Sequence, residues 1–416
     1  MKKEILAGFT TAMLGLGAVV FVAPANAASE KSHVAGQIMV EFRDQGAATD
    51  VLRRHGLEKG PRIGSTEAHL IKVPEGKELQ LVEALNRNPA VEYAEPDQLV
   101  TTATDDQYFP RQYALHNSGQ SFTNTNGDIS VSGGKSDADV DAVEAWTVTT
   151  GSGIKVAVLD SGVADDNGDI TPKVVARANF TNGESGDDNY GHGTHMAGSV
   201  AATANNKEGV AGVCPDCKVL DGKVLNDSGV GSSSSLANGI NWSVNNGAKV
   251  INMSLGVRAL RTLESAVNNA WNKGVVLVAA AGNGGNQTKI YPGAYPNVIA
   301  VAATDNKDAK ASFSTYGADW VDVAAPGVNV YSTFPKHTFV LGTQNNRSWG
   351  YDVGNGTSVS SAIVAATAAL AWSSDPGATH TSVRAKVEST ADKISGTGTY
   401  WAHGRVNACS TVNCTR

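Results

Sequence analysis

The chain is expected to be an α/β protein with a mostly parallel central sheet and helices on both faces, preceded by a small α+β domain. Three observations lead there. From Ile154 onward, short Val/Ile/Leu runs alternate with stretches of helical spacing. Those runs are continuously apolar, as in strands covered on both sides. The 45 glycines and the 6% aromatic content suit closely packed elements joined by tight turns.

In chain order, Met1-Lys2-Lys3, the apolar stretch from Ile5 to Val22 and Ala25-Asn26-Ala27 have the charged, apolar and small-residue regions of a secretory signal, here residues 1–27. A secreted, extracellular product follows from that reading. No later run is long and charge-free enough to span a bilayer, so no membrane association is expected once the signal is removed. Residues 28–104 form the α+β segment: a strand at Gln37–Phe42, a helical patch at Val51–Arg54, and a strand from Ala68 to Val73. A helix then runs through Leu79, Leu81, Val82 and Leu85, closed by Asn88-Pro89, before a strand at Val91–Pro96.

Residues 105–416 are long enough for one large α/β domain. Strands are expected at Lys155–Leu159, Lys218–Val224, Lys249–Met253, Val275–Val278, Val298–Val301 and Trp320–Val323. Helices should follow His192, Ser233, Leu260, Thr357 and Thr379. The 33 basic and 40 acidic residues are dispersed, nothing in the sequence suggests a nucleic-acid surface, and no nucleic-acid partner is expected. Cysteines stand at Cys214-Pro215-Asp216-Cys217 and at Cys409 and Cys414. Three pairings are open to them. Two local bridges are expected in an exported chain, with a four-cysteine zinc site as the alternative.

The chemistry centres on Gly350–Ala362. Glycines before Thr357 permit tight turns, and the small apolar residues after it read as a helix, so Ser358 lies at a helix N-terminus where negative charge is favoured. A serine hydroxyl needs a neutral imidazole to take its proton, and that imidazole needs a carboxylate on its other nitrogen. Asp160 closes the strand Val156–Leu159 beside Ser161-Gly162. His192 lies within Tyr190-Gly191-His192-Gly193-Thr194-His195, and Asn283 within Ala281-Gly282-Asn283-Gly284. Asp160 would orient the imidazole and Asn283 could donate to an oxyanion.

Four motifs in the order Asp, His, Asn, Ser resemble those of the subtilisin-like serine proteases, in their thermitase and subtilisin branch. They are Val158-Leu159-Asp160-Ser161-Gly162, His192-Gly193-Thr194-His195, Ala280-Ala281-Gly282-Asn283 and Asn355-Gly356-Thr357-Ser358. The resemblance implies an endopeptidase acting through an acyl-enzyme. Ser358 would be the nucleophile, His192 the base and later acid, Asp160 its orienting carboxylate, and Asn283 an oxyanion donor beside the Ser358 backbone N–H. His195 would be structural, since no zincin pattern accompanies it.

The stretch Asn88-Pro89-Ala90-Val91-Glu92-Tyr93-Ala94-Glu95-Pro96 is similar to the propeptides of that family. Residues 28–104 would then be an intramolecular chaperone and inhibitor, with a tail near Leu99 to Thr104 lying across the cleft until autocatalytic release. Other implied partners are extended polypeptides, and the mature enzyme would be a monomer. Ser254-Leu255-Gly256 and Gly229-Val230-Gly231 resemble the walls that hold substrate by strand addition. The first pocket would be lined by Ala280 to Asn283, including Ala281 and Gly282, and closed near Ile290-Tyr291-Pro292. No acid stands in the Gly284–Ile290 loop to pair with a buried Lys or Arg, so an apolar or aromatic residue is expected before the cut, with Ile290 making the pocket shallow.

A structural Ca²⁺ is implied at Asp106, Asp169 and Asn206, with backbone oxygens from Ala204, Glu208 and Val210. No catalytic cofactor is expected. Ser358-Val359-Ser360-Ser361-Ala362 departs from the family: Ala362 replaces a proline, which should loosen the first turn, and Ser360 would add a hydroxyl near the reacting one. Two rival readings have less support in the sequence. An α/β-hydrolase esterase lacks support because Gly356-Thr357-Ser358-Val359-Ser360 has no second elbow glycine. A catalytically silent binding protein on the same fold is opposed by the complete set of motifs.

Overall fold

Strand residues that alternate along the chain feed two different cores. In the strand Lys155–Asp160, Val156 and Val158 pack into one hydrophobic cluster while Ala157 and Leu159 pack into another. Burial on both faces explains the unbroken apolar runs in the sequence. The computed structural model describes residues 33–98, 104–182 and 185–414. The expected signal and nearly all of the expected tail at Leu99 to Thr104 lie outside the described residues.

The chain divides into two compact units, Met1–Asp97 and Gln98–Arg416. In the first, β1 (His33–Phe42), α1 (Ala48–Arg54), β2 (His69–Lys72), α2 (Glu78–Asn86) and β3 (Val91–Gln98) form a three-stranded sheet, order β2-β1-β3, with two helices. Ile38, Val40, Leu52, Ile71 and Leu85 fill its core. Glu78 is buried there and accepts the Gly36 N–H at 2.6 Å.

The second unit contains β4 (Lys155–Asp160), β5 (Val174–Asn179), α3 (His192–Ala201), β6 (Lys218–Lys223), α4 (Ser233–Asn245), β7 (Val250–Met253), α5 (Arg261–Asn272), β8 (Val276–Ala280), β9 (Ile299–Thr304) and β10 (Val323–Pro326). These are followed by β11 (Val330–Thr333), α6 (Val340–Asn345), β12 (Tyr351–Gly354), α7 (Thr357–Ser374), α8 (His380–Ser389) and β13 (Gly404–Arg405). Eight strands form one sheet in the order β13-β10-β9-β8-β7-β4-β6-β5, every neighbouring pair parallel. All five expected helices are present. One face carries α3 and α7 and the other α4 and α5.

The strand order reverses beside β4, so the C-terminal end of that strand opens on a crevice where such sheets gather their sites. Asp160 ends β4 there. Antiparallel β11 and β12 form a separate hairpin.

Two expectations shift. The strand placed at Trp320–Val323 begins only at Val323, because Val321 joins Trp401 and Ala281 in a small cluster of its own, with Trp320 against it. Edge strand β5 went unread: its residues alternate between half-buried and exposed, and a buried-strand pattern never develops. The cysteines pair locally, Cys214 with Cys217 and Cys409 with Cys414, which leaves no thiols for zinc.

Candidate active site

Asp160 is 1% exposed, and its Oδ1 accepts both the Ser161 N–H at 2.8 Å and His192 Nδ1 at 2.7 Å. A proton held on Nδ1 by that bond leaves Nε2 as the basic nitrogen. Burial alone would lower the His192 pKa. The Asp160 charge and hydrogen bond, with Asp188 behind them, more than offset this and leave it raised. Close approach is built into the backbone: a Cβ at Gly193 would stand 2.1 Å from the Gly162 carbonyl oxygen, so glycine lets α3 press its first turn onto the loop after Asp160.

Ser358 is the second residue of α7, the 18-residue helix whose interior is Ala, Val, Ile and Leu. Gly356 precedes the helix at φ 146°, a conformation that only glycine adopts readily. A Cβ there would lie 2.7 Å from Ser358 Oγ and 3.4 Å from Asn283 Nδ2, so the two groups border one space. Asn283 is oriented by α7 itself. Its Oδ1 accepts the Thr357 N–H and the Thr357 hydroxyl, both at 2.9 Å, leaving the amide N–H groups without a partner among the described residues.

His192, Asn283 and Ser358 all line a cavity of about 260 Å³. The imidazole and the Ser358 hydroxyl make no hydrogen bond to each other; contacts of this kind commonly tighten only as substrate binds.

Among the wall residues, Gly229, Val230, Gly231, Ser254, Leu255 and Gly256 line a second cavity of about 340 Å³ that shares His192 with the first. Val230 is 63% exposed there. The Ser254 side chain turns away from that wall. Its hydroxyl donates to the Ser358 carbonyl at 2.8 Å and meets Ser361 Oγ at 3.0 Å, so it supports the helix. Ile290 lies between the glycine walls: a Cβ at Gly256 would be 2.4 Å from its Cγ2, and one at Gly282 3.0 Å from its Cγ1. Ala281 is fully buried behind them, and the Gly282 N–H donates to Thr357 Oγ1 at 3.0 Å.

His195 is buried, hydrogen-bonded through Nε2 to the Val330 carbonyl at 3.2 Å, and packed on Phe334. Burial pushes its pKa down to about 3, so it is a neutral packing residue. The Ser360 expectation is corrected: its hydroxyl donates to the Ala325 carbonyl at 2.9 Å and so faces β10, away from Ser358.

Asp106 and Asp169 are both buried around residues 204–210. Asp106 accepts the Asn205 and Asn206 N–H groups at 3.0 and 2.9 Å, and Asp169 accepts the Val210 N–H at 2.9 Å and Asn206 Nδ2 at 2.7 Å. Burial, with Asp106 and Glu208 adding negative charge, pushes the Asp169 carboxyl up to about 7. The carbonyls of Ala204, Glu208 and Val210 accept no hydrogen bond from the described residues. The two buried carboxylates and these carbonyls are oxygen donors of the type a hard cation takes, while among the described residues no cluster of three or more His, Cys, Asp or Glu is gathered to hold a metal. The Glu208 carboxylate itself is taken by Lys336 at 2.8 Å.

Sequence reasoning passed over Asp188. It is fully buried beneath the N-terminus of α3, where Oδ1 accepts Ser161 Oγ (2.9 Å), Tyr190 N (3.2 Å) and Gly191 N (2.8 Å), while Oδ2 accepts Thr194 N (2.8 Å) and Thr194 Oγ1 (2.6 Å). The one available signal was an acid four residues before the histidine.

A parallel α/β sheet with an aspartate–histidine pair, a serine at a helix N-terminus and an amide beside it defines a serine endopeptidase. Residues 151–405 match the profile of the subtilase family, and residues 21–97 match the fervidolysin N-terminal prodomain. The chain is 48% identical to thermitase of Thermoactinomyces vulgaris over 66% of its own length and 93% of that protein. It is 39% identical to a thermophilic serine proteinase of a Bacillus species, over 94% and 91% of the two chains. A solved protease structure from Pseudoalteromonas arctica superposes with a TM-score of 0.64 at 28% identity, covering 75% of this chain and 99% of that one. The chain belongs to the subtilase family and carries an N-terminal prodomain.

Proposed function

We propose that the chain is a secreted endopeptidase made as a precursor, with Ser358 as nucleophile, His192 as general base and acid, Asp160 as the orienting carboxylate and Asn283 as oxyanion donor. The observation that carries this reading is the 2.7 Å contact between Asp160 Oδ1 and His192 Nδ1, with Ser358 and Asn283 lining the same cavity as the imidazole. His192 Nε2 takes the Ser358 proton as the oxygen attacks the scissile carbonyl. The oxyanion receives hydrogen bonds from Asn283 Nδ2 and the Ser358 backbone N–H. The imidazolium proton then passes to the leaving amine, and water hydrolyses the acyl-enzyme with the same histidine as base.

The acyl half of an extended polypeptide would pair with the backbones of 229–231 and 254–256. Ile290, between two glycines and in a loop, 284–290, that contains no acid, suits a moderately sized apolar or aromatic residue before the cut. Residues 28–104 act as chaperone and inhibitor and are released by the enzyme itself. A bound Ca²⁺ would neutralise Asp106 and Asp169, taking further oxygens from Asn206, Ala204, Glu208 and Val210, and so tie the 204–210 loop to the domain. Among the described residues no helix is long and apolar enough to cross a membrane. The mature enzyme acts as a monomer.

The test is expression of wild type and Ser358→Ala, with casein hydrolysis and N-terminal sequencing of the secreted products. Wild type should hydrolyse casein and begin near residue 105. Ser358→Ala should accumulate as unprocessed, inactive precursor. An active or fully processed Ser358→Ala protein would sink the assignment.

A further inference from the structure

The cavity containing His192, Asn283 and Ser358 extends away from the 229–231 and 254–256 walls, toward the segment between β11 and β12. If the acyl half of the substrate occupies those walls, as proposed above, this cavity receives the leaving half. Its lining includes Leu341, Asn345 and Arg347. It contains one permanently charged side chain, Arg347, and no carboxylate.

The segment bearing Arg347 is fixed to the catalytic histidine's own loop. Val340 N donates to the Asn189 carbonyl at 3.0 Å and Leu341 N to the Tyr190 carbonyl at 3.1 Å. Phe339 stacks on Phe334, and a Cβ at Gly191 would stand 2.3 Å from the Phe339 ring. On either side of the arginine, Arg347 N bonds the Gly342 carbonyl at 3.0 Å and Ser348 N bonds Asp352 Oδ2 at 2.8 Å.

The backbone is therefore held, while the half-buried guanidinium makes no hydrogen bond or ion pair with the described residues. Asp128, an acid within reach of its charge, is engaged instead by the side-chain amides of Asn124 (2.7 Å) and Asn346 (2.8 Å). His195, on the same wall, is neutral. A preplaced, unpaired guanidinium beside the reacting groups is a carboxylate receptor, because its fork of donors matches two carboxylate oxygens.

We propose that Arg347 makes the leaving-group side of the cleft a subsite for acidic side chains, so that bonds followed within two residues by Asp or Glu are cut preferentially. The ligand class is an acidic peptide segment. Arg347 then sets specificity by binding the departing half, and takes no part in proton transfer.

Quenched peptides sharing one acyl half, with Phe before the cut, would carry Asp, Ala or Lys at the first or second position beyond it. With wild type, kcat/KM should fall in the order Asp, Ala, Lys, with Asp over Lys by about tenfold, the scale of one charge-assisted hydrogen bond. That ratio should shrink in about 1 M salt, where the screening length is only a few ångströms. Arg347→Gln, its intact sites counted by labelling Ser358 with a phosphonate, should bring the Asp/Lys ratio to within about twofold. Arg347→Glu should invert it.

A wild-type ratio near one, or a preference that survives Arg347→Gln, overturns the proposal while leaving the protease reading intact. Failure of wild type to cut any of the peptides, with Ser358 unlabelled by a serine-directed phosphonate, overturns both.

Discussion

Replacing Asp188 by asparagine should weaken both the scaffold and the chemistry, in separable ways. Five donors converge on this carboxylate, three on Oδ1 and two on Oδ2. An asparagine can offer only one acceptor oxygen. Turned with its NH₂ toward Thr194, it lets the Thr194 hydroxyl rotate and accept, but the Thr194 backbone N–H then faces another donor. Turned the other way, it confronts the Tyr190 and Gly191 N–H groups. The better orientation leaves one buried N–H unpaired, a loss of about 1–3 kcal/mol. In a domain of this size that corresponds to a fall of roughly 2–6 °C in Tm, measurable by calorimetry on enzyme blocked with a sulfonyl fluoride.

The second effect is electrostatic. Asp188 is one of the charges that raise the His192 pKa against the downward pull of burial, and the neutral amide of the variant would carry none. His192 must be neutral to act as base, so activity rises with pH through its pKa. Removing a raising charge moves that acid limb to lower pH. The imidazolium formed on the way to the acyl-enzyme also loses about 1 kcal/mol of stabilisation, so plateau kcat should fall by about fivefold. The assay is kcat/KM against pH with a chromogenic peptide. An acid limb that stays in place or moves up would refute the electrostatic argument, even if Tm falls.

Excess chelator should lower Tm: a site saturated at about a thousand times its Kd contributes about 4 kcal/mol, and Asp169→Asn should lose most of that response. Unchanged melting with chelator would remove the calcium assignment. Ile290→Gly should deepen the first pocket and raise the Phe-over-Leu ratio of kcat/KM by at least about tenfold, since each buried methylene is worth roughly 1–3 kcal/mol in such a pocket. An unaltered ratio on the two chromogenic peptides would show that Ile290 does not limit the pocket.

The parts of this fold that were legible in the sequence are those whose neighbours lie close in the chain. Buried strands such as Val250–Met253 announce themselves by composition, and α7 by its small apolar residues after a glycine turn. The β11/β12 pairing was invisible because Val330 meets Gly354 across a long intervening segment, 334–350, with a helix of its own in place of the short loop that marks a hairpin in sequence. Arg347 was unreadable for the same reason. Its neighbours Tyr190 and His192 are far away in the chain, and nothing local distinguishes it from a solvated arginine. Asp188 was hidden among Asp187 and other acids, and only tertiary contact shows that five donors need it. The four motifs were readable because each couples a functional side chain to a glycine the backbone requires.

The substitution at position 362 shows how tertiary contact revises a local inference. A proline early in a helix fixes φ, and alanine gives up that restraint. The first turn of α7 is nevertheless held by side chains: the Ser358 carbonyl accepts from Ser254 Oγ at 2.8 Å and from Ser361 Oγ at 2.9 Å, and Ser360 Oγ ties the next residues to the Ala325 carbonyl at 2.9 Å. Ala362 itself is fully buried among the residues of the α3–α7 core. Three hydroxyls thus supply the rigidity the ring would have given. The expected loosening around Ser358 is offset from two directions, by β10 on one side and by Ser254 at the end of β7 on the other. The nucleophile's position therefore depends on the sheet as well as on its own helix.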